Sequence, residues 1–259
     1  MLLNLAASAA LVLVTVLVAF AIGVRRRQHD GVDVVWGLGF VLVAVLTLVL
    51  ADGPLSRRLL VTALTAAWGL RLAWHIYRRN KGKDEDRRYA ELLAKAPGNP
   101  NAYALRSVYL TQGAIMWLVS TPVQFAQYGT GTWVTVPFGV ALWLVGFAFE
   151  SVGDAQLAAF TADSANKGRV LETGLWRYTR HPNYFGDACV WWGLFLLACH
   201  QWLGLVTIVA PLTMTYLLAR GTGKPLLEKS IRARRPGYAE YVARTSGFLP
   251  RPPKKESPK

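Results

Sequence analysis

The chain has 259 residues, of which 53% are hydrophobic and only 17% are charged. Soluble domains usually carry about 25% charged residues, so this composition is typical of a membrane protein, and its hydrophobicity excludes intrinsic disorder. Cys189 and Cys199 are the only cysteines and both lie in apolar runs, which excludes a disulfide-stabilised scaffold. A formal net charge of +14 must be reconciled with so apolar a chain.

Seven apolar runs approach the roughly 20 residues that a helix needs to cross a bilayer. They cover residues 2–24, 31–50, 58–77, 104–126, 132–150, 185–199 and 202–220. The first run is too long for a cleaved signal peptide and has no cleavage site after it. The sequence therefore predicts an all-α polytopic membrane protein with seven transmembrane helices. We expect one membrane domain over residues 1–252 and a disordered basic tail over residues 253–259.

The distribution of positive charge predicts the orientation of these helices. Of the 29 lysines and arginines, all except Arg57, Arg58 and Arg71 fall in alternate connections or in the C-terminal tail. Because basic residues are retained on the cytoplasmic side, the N-terminus is expected outside and the C-terminus in the cytoplasm. This asymmetry explains most of the net charge without nucleic acid, and the surplus favours a polyanionic ligand or anionic lipid headgroups.

Ionisable side chains in or beside these runs are costly in a membrane and therefore indicate a function. Arg71 lies about two and a half turns inside its run, which favours an interior partner or an anionic ligand over snorkelling to the headgroups. Asp33 opens the second run, either as a solvated carboxyl or as an interior one that can hold a proton. Glu150 and Asp154 share one helix face, where they either lie in solvent or accept hydrogen bonds from a ribose or an amide.

Residues 167–192 hold the densest polar chemistry of the chain. Pro182 is expected to start a helix and to leave Asn183 and Tyr184 in its first turn. Free backbone N–H groups at a helix start, beside arginines, favour an anion such as the phosphate of a cytoplasmic cofactor. The polar members of this segment are Arg169, Arg177, Tyr178, Arg180, His181, Asn183, Tyr184 and Asp187.

The tail from Arg220 to Pro250 carries apolar and aromatic residues at helical spacing, which indicates an interfacial helix. This helix either attaches to the membrane surface or closes over the cofactor. Its candidate site residues are Arg220, Lys224, Glu228, Tyr238, Tyr241 and Arg244. No phosphate-binding glycine loop, paired zinc ligands or nucleophile elbow occurs, which argues against a hydrolase and against a metal site.

Three segments resemble the membrane steroid 5α-reductase family, in particular its bacterial branch. They are GLWRYTRHPNYFGDACVWWGLFLLA, with the later tail YAEYVARTSGFLP, and WGLRLAWHIYRRNKGKDEDRRY. The resemblance covers roughly residues 30–252, and its sharpest motifs occupy about the last hundred residues. The RHPxYxG core is shared with isoprenylcysteine-type methyltransferases.

The resemblance implies a seven-helix bundle that holds NADPH in a cytoplasm-facing cavity, with a lipid-like substrate entering from the bilayer. Family NADPH positions correspond here to Glu150, Asp154, Arg169, Tyr178, Asn183, Asp187, Trp191, Arg220, Lys224 and Glu228, and to Arg71, Arg79 and Asn80. The predicted cofactor site also includes Arg180, His181, Tyr184, Tyr241 and Arg244. Glu150 and Asp187 stand where eukaryotic relatives have Asn and Glu, and Lys224 and Glu228 replace a His and a Tyr.

Relatives polarise the 3-keto oxygen of the substrate with a Glu of helix 2 and a Tyr of helix 3. Asp33 best matches the acid, and Trp68 stands where the Tyr is expected. The phenol is therefore sought among Tyr77, Tyr89 and Tyr109, with Tyr77 and Tyr89 as the catalytic candidates beside Asp33. Trp36 and Trp68 are assigned to substrate binding.

The sequence thus predicts an NADPH-dependent reductase of a conjugated enone, with a Δ4-3-oxosteroid as the working substrate. We expect the enzyme in the bacterial inner membrane, in contact with membrane lipids, with its active site facing the cytoplasm. No metal, nucleic acid or obligate protein partner is expected. Two alternatives remain open: an S-adenosylmethionine-dependent methyltransferase of a membrane-embedded thiol or amine, and a non-enzymatic lipid-binding membrane protein.

Overall fold

A computed structural model describes residues 1–221, 223–232 and 234–254, apart from the side chains of residues 226 and 230. All regular secondary structure in these residues is helical, and they contain no strand, which confirms the all-α prediction. Residues 255–259 of the predicted disordered tail lie outside the described residues, so that part of the prediction is untested.

The α-helices are numbered in chain order. They are α1 (Leu2–Arg26), α2 (Val32–Leu50), α3 (Leu55–Asn80), α4 (Arg87–Leu93), α5 (Pro100–Ala104), α6 (Thr111–Val119), α7 (Thr121–Phe125), α8 (Val136–Ala162), α9 (Pro182–Ala198), α10 (Val209–Ala219), α11 (Lys224–Arg232) and α12 (Tyr238–Arg244). A π-helix (Leu105–Leu110) joins α5 to α6, and 3₁₀ turns occupy Ser164–Asn166, Gly174–Arg177 and Trp202–Ile208.

Within the described residues, five helical segments are long and apolar enough to cross a membrane. They are α1, α2, α3, α8 and the continuous segment Trp202–Ala219. These segments support the prediction of a membrane protein. The other two predicted spans do not form single long helices. The run 185–199 lies in α9, which has only 17 residues. The run 104–126 is divided among four helical pieces. Pro122 stands at the start of α7, where a proline without an N–H is tolerated, and so marks the last of these divisions. Seven spans and the orientation of the termini remain predictions.

The described chain separates into two compact units, each with its own packing. The first unit comprises Met1–Val134 with Leu197–Ala210, and the second comprises Thr135–Leu196 with the chain from Pro211 onward. In the first unit, α2 packs against α3 through two glycines. A Cβ atom added at Gly69 would lie 2.6 Å from the carbonyl oxygen of Gly37. Small residues that let backbones meet are the usual contact between helices in a membrane.

A buried hydrogen-bond network links α1, α2, α6 and α7 in the first unit. The Asn4 amide donates to Gln124 Oε1 at 2.9 Å and to Thr47 Oγ1 at 3.2 Å. The Ser8 hydroxyl also donates to Gln124 Oε1, at 2.9 Å, and accepts from the Trp117 indole at 3.1 Å. Because water is excluded from such a position, side chains of neighbouring helices supply each other's partners.

In the second unit, α8 and α9 approach through glycines spaced seven residues apart on each helix. A Cβ atom added at Gly146 would lie 2.5 Å from the carbonyl oxygen of Gly186. One added at Gly193 would lie 2.7 Å from the carbonyl oxygen of Gly139. This close backbone contact extends to the beginning of α9, where the polar residues of the predicted cofactor site lie.

Candidate functional site

The face shared by α8 and α9 carries a set of buried acidic side chains, which we call the acidic face: Glu150, Asp154 and Asp187 with Asn183. The exposed fractions of the three acids are only 3%, 6% and 9%. The Asn183 amide donates to Asp154 Oδ1 at 3.1 Å. The structure thus brings four of the predicted cofactor residues together in the second unit.

Local sequence explains how the acidic face is positioned. Pro182 is the first residue of α9, so Asn183 falls in the first turn, as the sequence predicts. Asn183 Oδ1 also accepts from the backbone N–H of Tyr184 at 3.0 Å, which fixes the amide orientation. Gly186 lets α9 lie against α8, because a Cβ there would be 2.9 Å from Glu150 Cβ. The spacing of four residues then places Asp154 one turn beyond Glu150 on the same face.

A second buried cluster, which we call the tail clasp, joins Arg180 and His181 to Glu228 of α11. Arg180 Nε donates to Glu228 Oε1 at 2.8 Å, and His181 Nε2 lies 3.0 Å from the same oxygen. Arg180 Nη1 donates to the carbonyl oxygens of Thr245 at 2.5 Å and Val242 at 3.2 Å. The guanidinium is thus largely committed within the chain. This geometry favours a structural role for Arg180 and Glu228 over phosphate binding.

The electrostatics of the tail clasp follow from burial and pairing. Burial alone would raise the pKa of Glu228, but hydrogen bonds from His181 and Arg180 lower it to about 2. Burial lowers the pKa of His181, and the hydrogen bond to Glu228 opposes this only in part. Nδ1 of His181 is buried and has no hydrogen-bond partner among the described residues. The Tyr184 ring stacks on the His181 ring with centroids 5.2 Å apart.

The remaining predicted cofactor residues of the second unit are dispersed. The Tyr241 hydroxyl is buried and donates to the carbonyl oxygen of Trp176 at 2.5 Å, and Arg244 pairs with Glu172. Four other predicted cofactor residues differ in how much of each side chain is exposed to solvent. Arg169, Tyr178 and Arg220 are exposed and Trp191 is fully buried. Lys224 is the first residue of α11.

In the first unit the structure brings Asp33 together with Tyr89. The Tyr89 hydroxyl donates to Asp33 Oδ1 at 2.6 Å, and Arg88 Nη2 donates to Asp33 Oδ2 at 2.9 Å. Gln112 Nε2 donates to the Tyr89 phenol oxygen at 3.2 Å. Burial and the charge of Asp33 raise the pKa of Tyr89 well above its ordinary value, so the phenol stays protonated at neutral pH. We call these four residues the acid cluster.

The other phenols considered from the sequence have different surroundings. The Tyr77 side chain is 44% exposed, and its ring lies against Trp74 with centroids 5.9 Å apart. The Tyr109 hydroxyl lies 3.0 Å from His29 Nδ1. Among the candidates, Tyr89 is therefore the phenol that forms a hydrogen bond with Asp33.

Arg88 and Gln112 were not among the predicted site residues. Arg88 counts in the sequence only as one more basic charge of a long connection. Gln112 is a polar residue inside an apolar run, and that signal was available. The π-helix just before it is an irregularity often found at functional sites, but the sequence does not reveal it.

The remaining predicted residues of the first unit form small contacts of their own. Arg79 Nε donates to Asn80 Oδ1 at 3.1 Å, and the Asn80 amide donates to Asp30 Oδ2 at 3.3 Å. Arg71 is half-buried. The predicted substrate residues Trp36 and Trp68 both pack edge-on against Phe40, with centroid distances of 5.2 and 5.6 Å.

The donor and acceptor groups present fit a nicotinamide dinucleotide. Carboxylates of the acidic face can accept from the carboxamide and from ribose hydroxyls. Arg169, Arg220 and Lys224 carry positive charge that suits phosphates. No group of three or more His, Cys, Asp or Glu side chains that could hold a metal ion occurs among the described residues.

Comparison with known proteins gives a family and distant relatives. The model of a family described as "Protein of unknown function (DUF1295)" matches residues 19–245. An uncharacterized protein of Schizosaccharomyces pombe is 24% identical, over 76% of this chain and 64% of that protein. The 3-oxo-5-alpha-steroid 4-dehydrogenase 1 of Mus musculus is 34% identical, over 41% of this chain and 42% of that protein. The 3-oxo-5-alpha-steroid 4-dehydrogenase 1 of Rattus norvegicus is 36% identical, over 38% of this chain and 37% of that protein.

The chain spans less than two thirds of the length of each of these relatives. No solved structure matches it significantly. The family model, by contrast, covers most of the chain. The chain therefore belongs to the DUF1295 family, which is steroid 5α-reductase-like.

Proposed function

We propose that this chain is a membrane-embedded, NADPH-dependent reductase of the carbon–carbon double bond of a conjugated enone, with a Δ4-3-oxosteroid as the working substrate. The observation that carries the proposal is the acidic face in a member of a steroid 5α-reductase-like family. The names of the mouse and rat relatives support oxidoreductase chemistry.

The acidic face is difficult to explain as packing alone. An acidic side chain within an apolar helix costs on the order of 2.5–3.5 kcal/mol on insertion scales. Three buried carboxylates lie on one short stretch of α8 and α9, where neighbouring contacts are made by glycines. A polar ligand that donates hydrogen bonds would lower this cost further, beyond the contacts that these side chains already make within the chain.

We assign the nicotinamide and ribose end of NADPH to the acidic face, where Asp154, Asn183 and Asp187 would orient it. Exposed basic residues of the second unit, Arg169 and Arg220, would neutralise its phosphates together with Lys224. When bound, NADPH would supply a hydride to the β carbon of the enone.

The acid cluster would act on the oxygen of the enone. Tyr89 keeps its proton at neutral pH, so its hydroxyl would turn from Asp33 to the enone oxygen and act as a hydrogen-bond donor or proton donor rather than as a base. Asp33 and Gln112 hold the phenol from two sides, at 2.6 and 3.2 Å. Stabilisation of negative charge that develops on a carbonyl oxygen is usually the largest contribution of a protein to such a reaction. Trp36 and Trp68 would contact the rings of the substrate.

The membrane setting completes the proposal. Seven spans with the N-terminus outside and the C-terminus inside would place the second-unit tail in the cytoplasm, where NADPH is available. A lipid-like enone would enter from the bilayer of the bacterial inner membrane. Membrane lipids would be the only other partners, with no nucleic acid and no obligate protein.

Nucleotide binding tests the cofactor assignment. Purified protein in detergent is titrated with NADPH and, separately, with S-adenosylmethionine, for the wild type and for Asp154→Asn and Asn183→Ala. The proposal expects NADPH to bind and both substitutions to weaken it at least tenfold. Asp163→Asn, an exposed acid just after α8, is the matched control and should change affinity less than twofold.

The same titration distinguishes the alternatives. If the protein binds S-adenosylmethionine but not NADPH, a methyltransferase replaces the proposed reductase. Binding of neither would favour a non-enzymatic lipid-binding protein. Reduction of progesterone by the NADPH-loaded protein, detected as a gain of two hydrogens by mass spectrometry, then tests the reaction itself.

A further inference from the structure

The second unit contains a polar cavity that shares only Arg244 with the predicted cofactor site, and the proposed reaction gives Arg244 no role. Its volume is about 460 Å³, and its lining includes Glu172, Thr173, Arg177, Arg244, Thr245 and Lys254. We call it the basic pocket. These residues come from three separate segments: the 3₁₀ turn Gly174–Arg177 with the residues just before it, the end of α12, and the chain after it.

The wall of the basic pocket is held by backbone hydrogen bonds. The N–H of Lys254 donates to the carbonyl oxygen of Arg244, and the N–H of Arg251 donates to that of Tyr178, both at 3.0 Å. The N–H of Arg180 donates to the carbonyl oxygen of Ser246 at 2.9 Å. The C-terminal segment is therefore fastened to the 178–180 turn, and Lys254 lies at the pocket as part of a built wall.

Positive charge exceeds negative charge in the lining. Three basic side chains face one carboxylate, Glu172, and that carboxylate is already paired with Arg244. Arg177 and Lys254 form no ion pair with any acidic side chain in the described ranges. Like charges gathered in a concave site focus the field and raise the local concentration of anions.

The donor chemistry of the lining suits a phosphate ester. Arginine offers a planar fork of N–H groups that matches phosphate oxygens, and lysine adds a compact positive charge. The hydroxyls of Thr173 and Thr245 add neutral donors. The volume lies within the 300–1,000 Å³ range typical of small-molecule sites.

We infer that the basic pocket binds a phosphate ester, carried either by the headgroup of an anionic phospholipid or by a soluble phosphate compound. The lining residues lie outside the five candidate spans, and basic residues beside membrane spans attract anionic headgroups. The inference does not depend on enone reduction or on NADPH.

Defined lipids and one double variant test the inference. Full-length protein in detergent is titrated with phosphatidylglycerol and with phosphatidylcholine, and bound lipid is counted by native mass spectrometry. Arg177→Gln with Lys254→Gln removes two exposed charges from the lining. We expect it to weaken phosphatidylglycerol binding about 10- to 30-fold and to leave phosphatidylcholine unchanged.

Two further variants serve as controls. Lys81→Gln with Lys83→Gln removes the same charge from exposed positions after α3 and should change affinity less than twofold. Arg177→Lys with Lys254→Arg keeps the charge and should restore most of the lipid binding. Neither exchange touches the acidic face or the acid cluster, and the melting temperature of each variant without lipid or phosphate serves as the check of folding.

Inorganic phosphate separates the two sources of the ester. A lipid headgroup is identified if phosphatidylglycerol binding depends on Arg177 and Lys254 and is unaffected by millimolar phosphate. A soluble compound is identified if phosphate binds by itself, protects the wild type from thermal unfolding and fails to protect the Gln variant. Equal affinity of wild type and Gln variant for both probes overturns the inference.

Discussion

The tail clasp allows a quantitative test of how the tail of the second unit is held. Arg180 and Glu228 are 8% exposed each, and two hydrogen bonds of 2.8 and 3.5 Å join them. Glu228→Gln leaves the Arg180 charge buried without its counter-charge, and Arg180→Met leaves Glu228 in the same position. Breaking one side of a buried pair costs about 3–5 kcal/mol, so each single substitution should destabilise the protein by that amount.

The double variant should cost far less than the sum of the single ones. With both charges gone, neither side leaves a buried ion, and the remaining cost is mainly that of the hydrogen bonds that Arg180 donates to Thr245 and Val242. We expect a coupling free energy of at least about 2 kcal/mol between the two positions, measured from reversible unfolding in mixed micelles. Additive effects, within about 0.5 kcal/mol, would refute a stabilising interaction between Arg180 and Glu228.

The same pair predicts a pH dependence. Because the folded-state pKa of Glu228 is about 2 and its ordinary value is 4.5, the carboxylate contributes stability that is present above pH 4.5 and is lost as the pH falls toward 2. The difference corresponds to about 3 kcal/mol. Unfolding of the wild type and of Glu228→Gln over this pH window measures it, and equal slopes in the two proteins would show that Glu228 has no such role.

Three further predictions concern packing, catalysis and a buried arginine. Gly146→Ala should destabilise the protein by about 1–3 kcal/mol in thermal unfolding, because the added Cβ would lie 2.5 Å from a carbonyl oxygen of α9. Gly31→Ala is the control and should be neutral, because a Cβ there would have no atom within 4 Å. Tyr89→Phe should lower kcat for enone reduction about 10²- to 10⁴-fold with little change in the NADPH dissociation constant, and unchanged kcat would exclude the phenol as the acid. Arg57→Met should lower the free energy of unfolding by about 1–3 kcal/mol in the same unfolding assay. The reason is that Arg57 Nη1 lies 3.0 Å from His200 Nδ1 and the guanidinium also donates to loop carbonyls. An unchanged unfolding midpoint would contradict this prediction.

Composition and local signals were sufficient for part of this structure. Hydropathy alone predicts helices and a membrane, because spans must be apolar and hydrogen-bonded internally. The start of α9 at Pro182 and the shared face of Glu150 and Asp154 follow from rules that act within one or two turns. These rules locate the acidic face.

Contacts between distant segments could not be predicted in this way. Asp33 and Tyr89 are 56 residues apart, and Tyr89 lies on the short helix α4, which a hydropathy profile does not detect. Arg180 illustrates a second limit: a basic side chain in a sequence can serve a ligand or an internal acid equally well. The structure shows that Arg180 pairs with Glu228, 48 residues away.

Transfer of an isotope from cofactor to product tests the proposed function most directly. Purified wild-type protein is incubated with progesterone and NADPH deuterated at the transferable position of the nicotinamide, and the product is analysed by mass spectrometry and NMR. We predict a dihydro product with one deuterium at the former β carbon of the enone and one solvent-derived hydrogen at the α carbon. A product without the deuterium, or a methylated product formed only with S-adenosylmethionine, would contradict the assignment of this chain as an NADPH-dependent reductase.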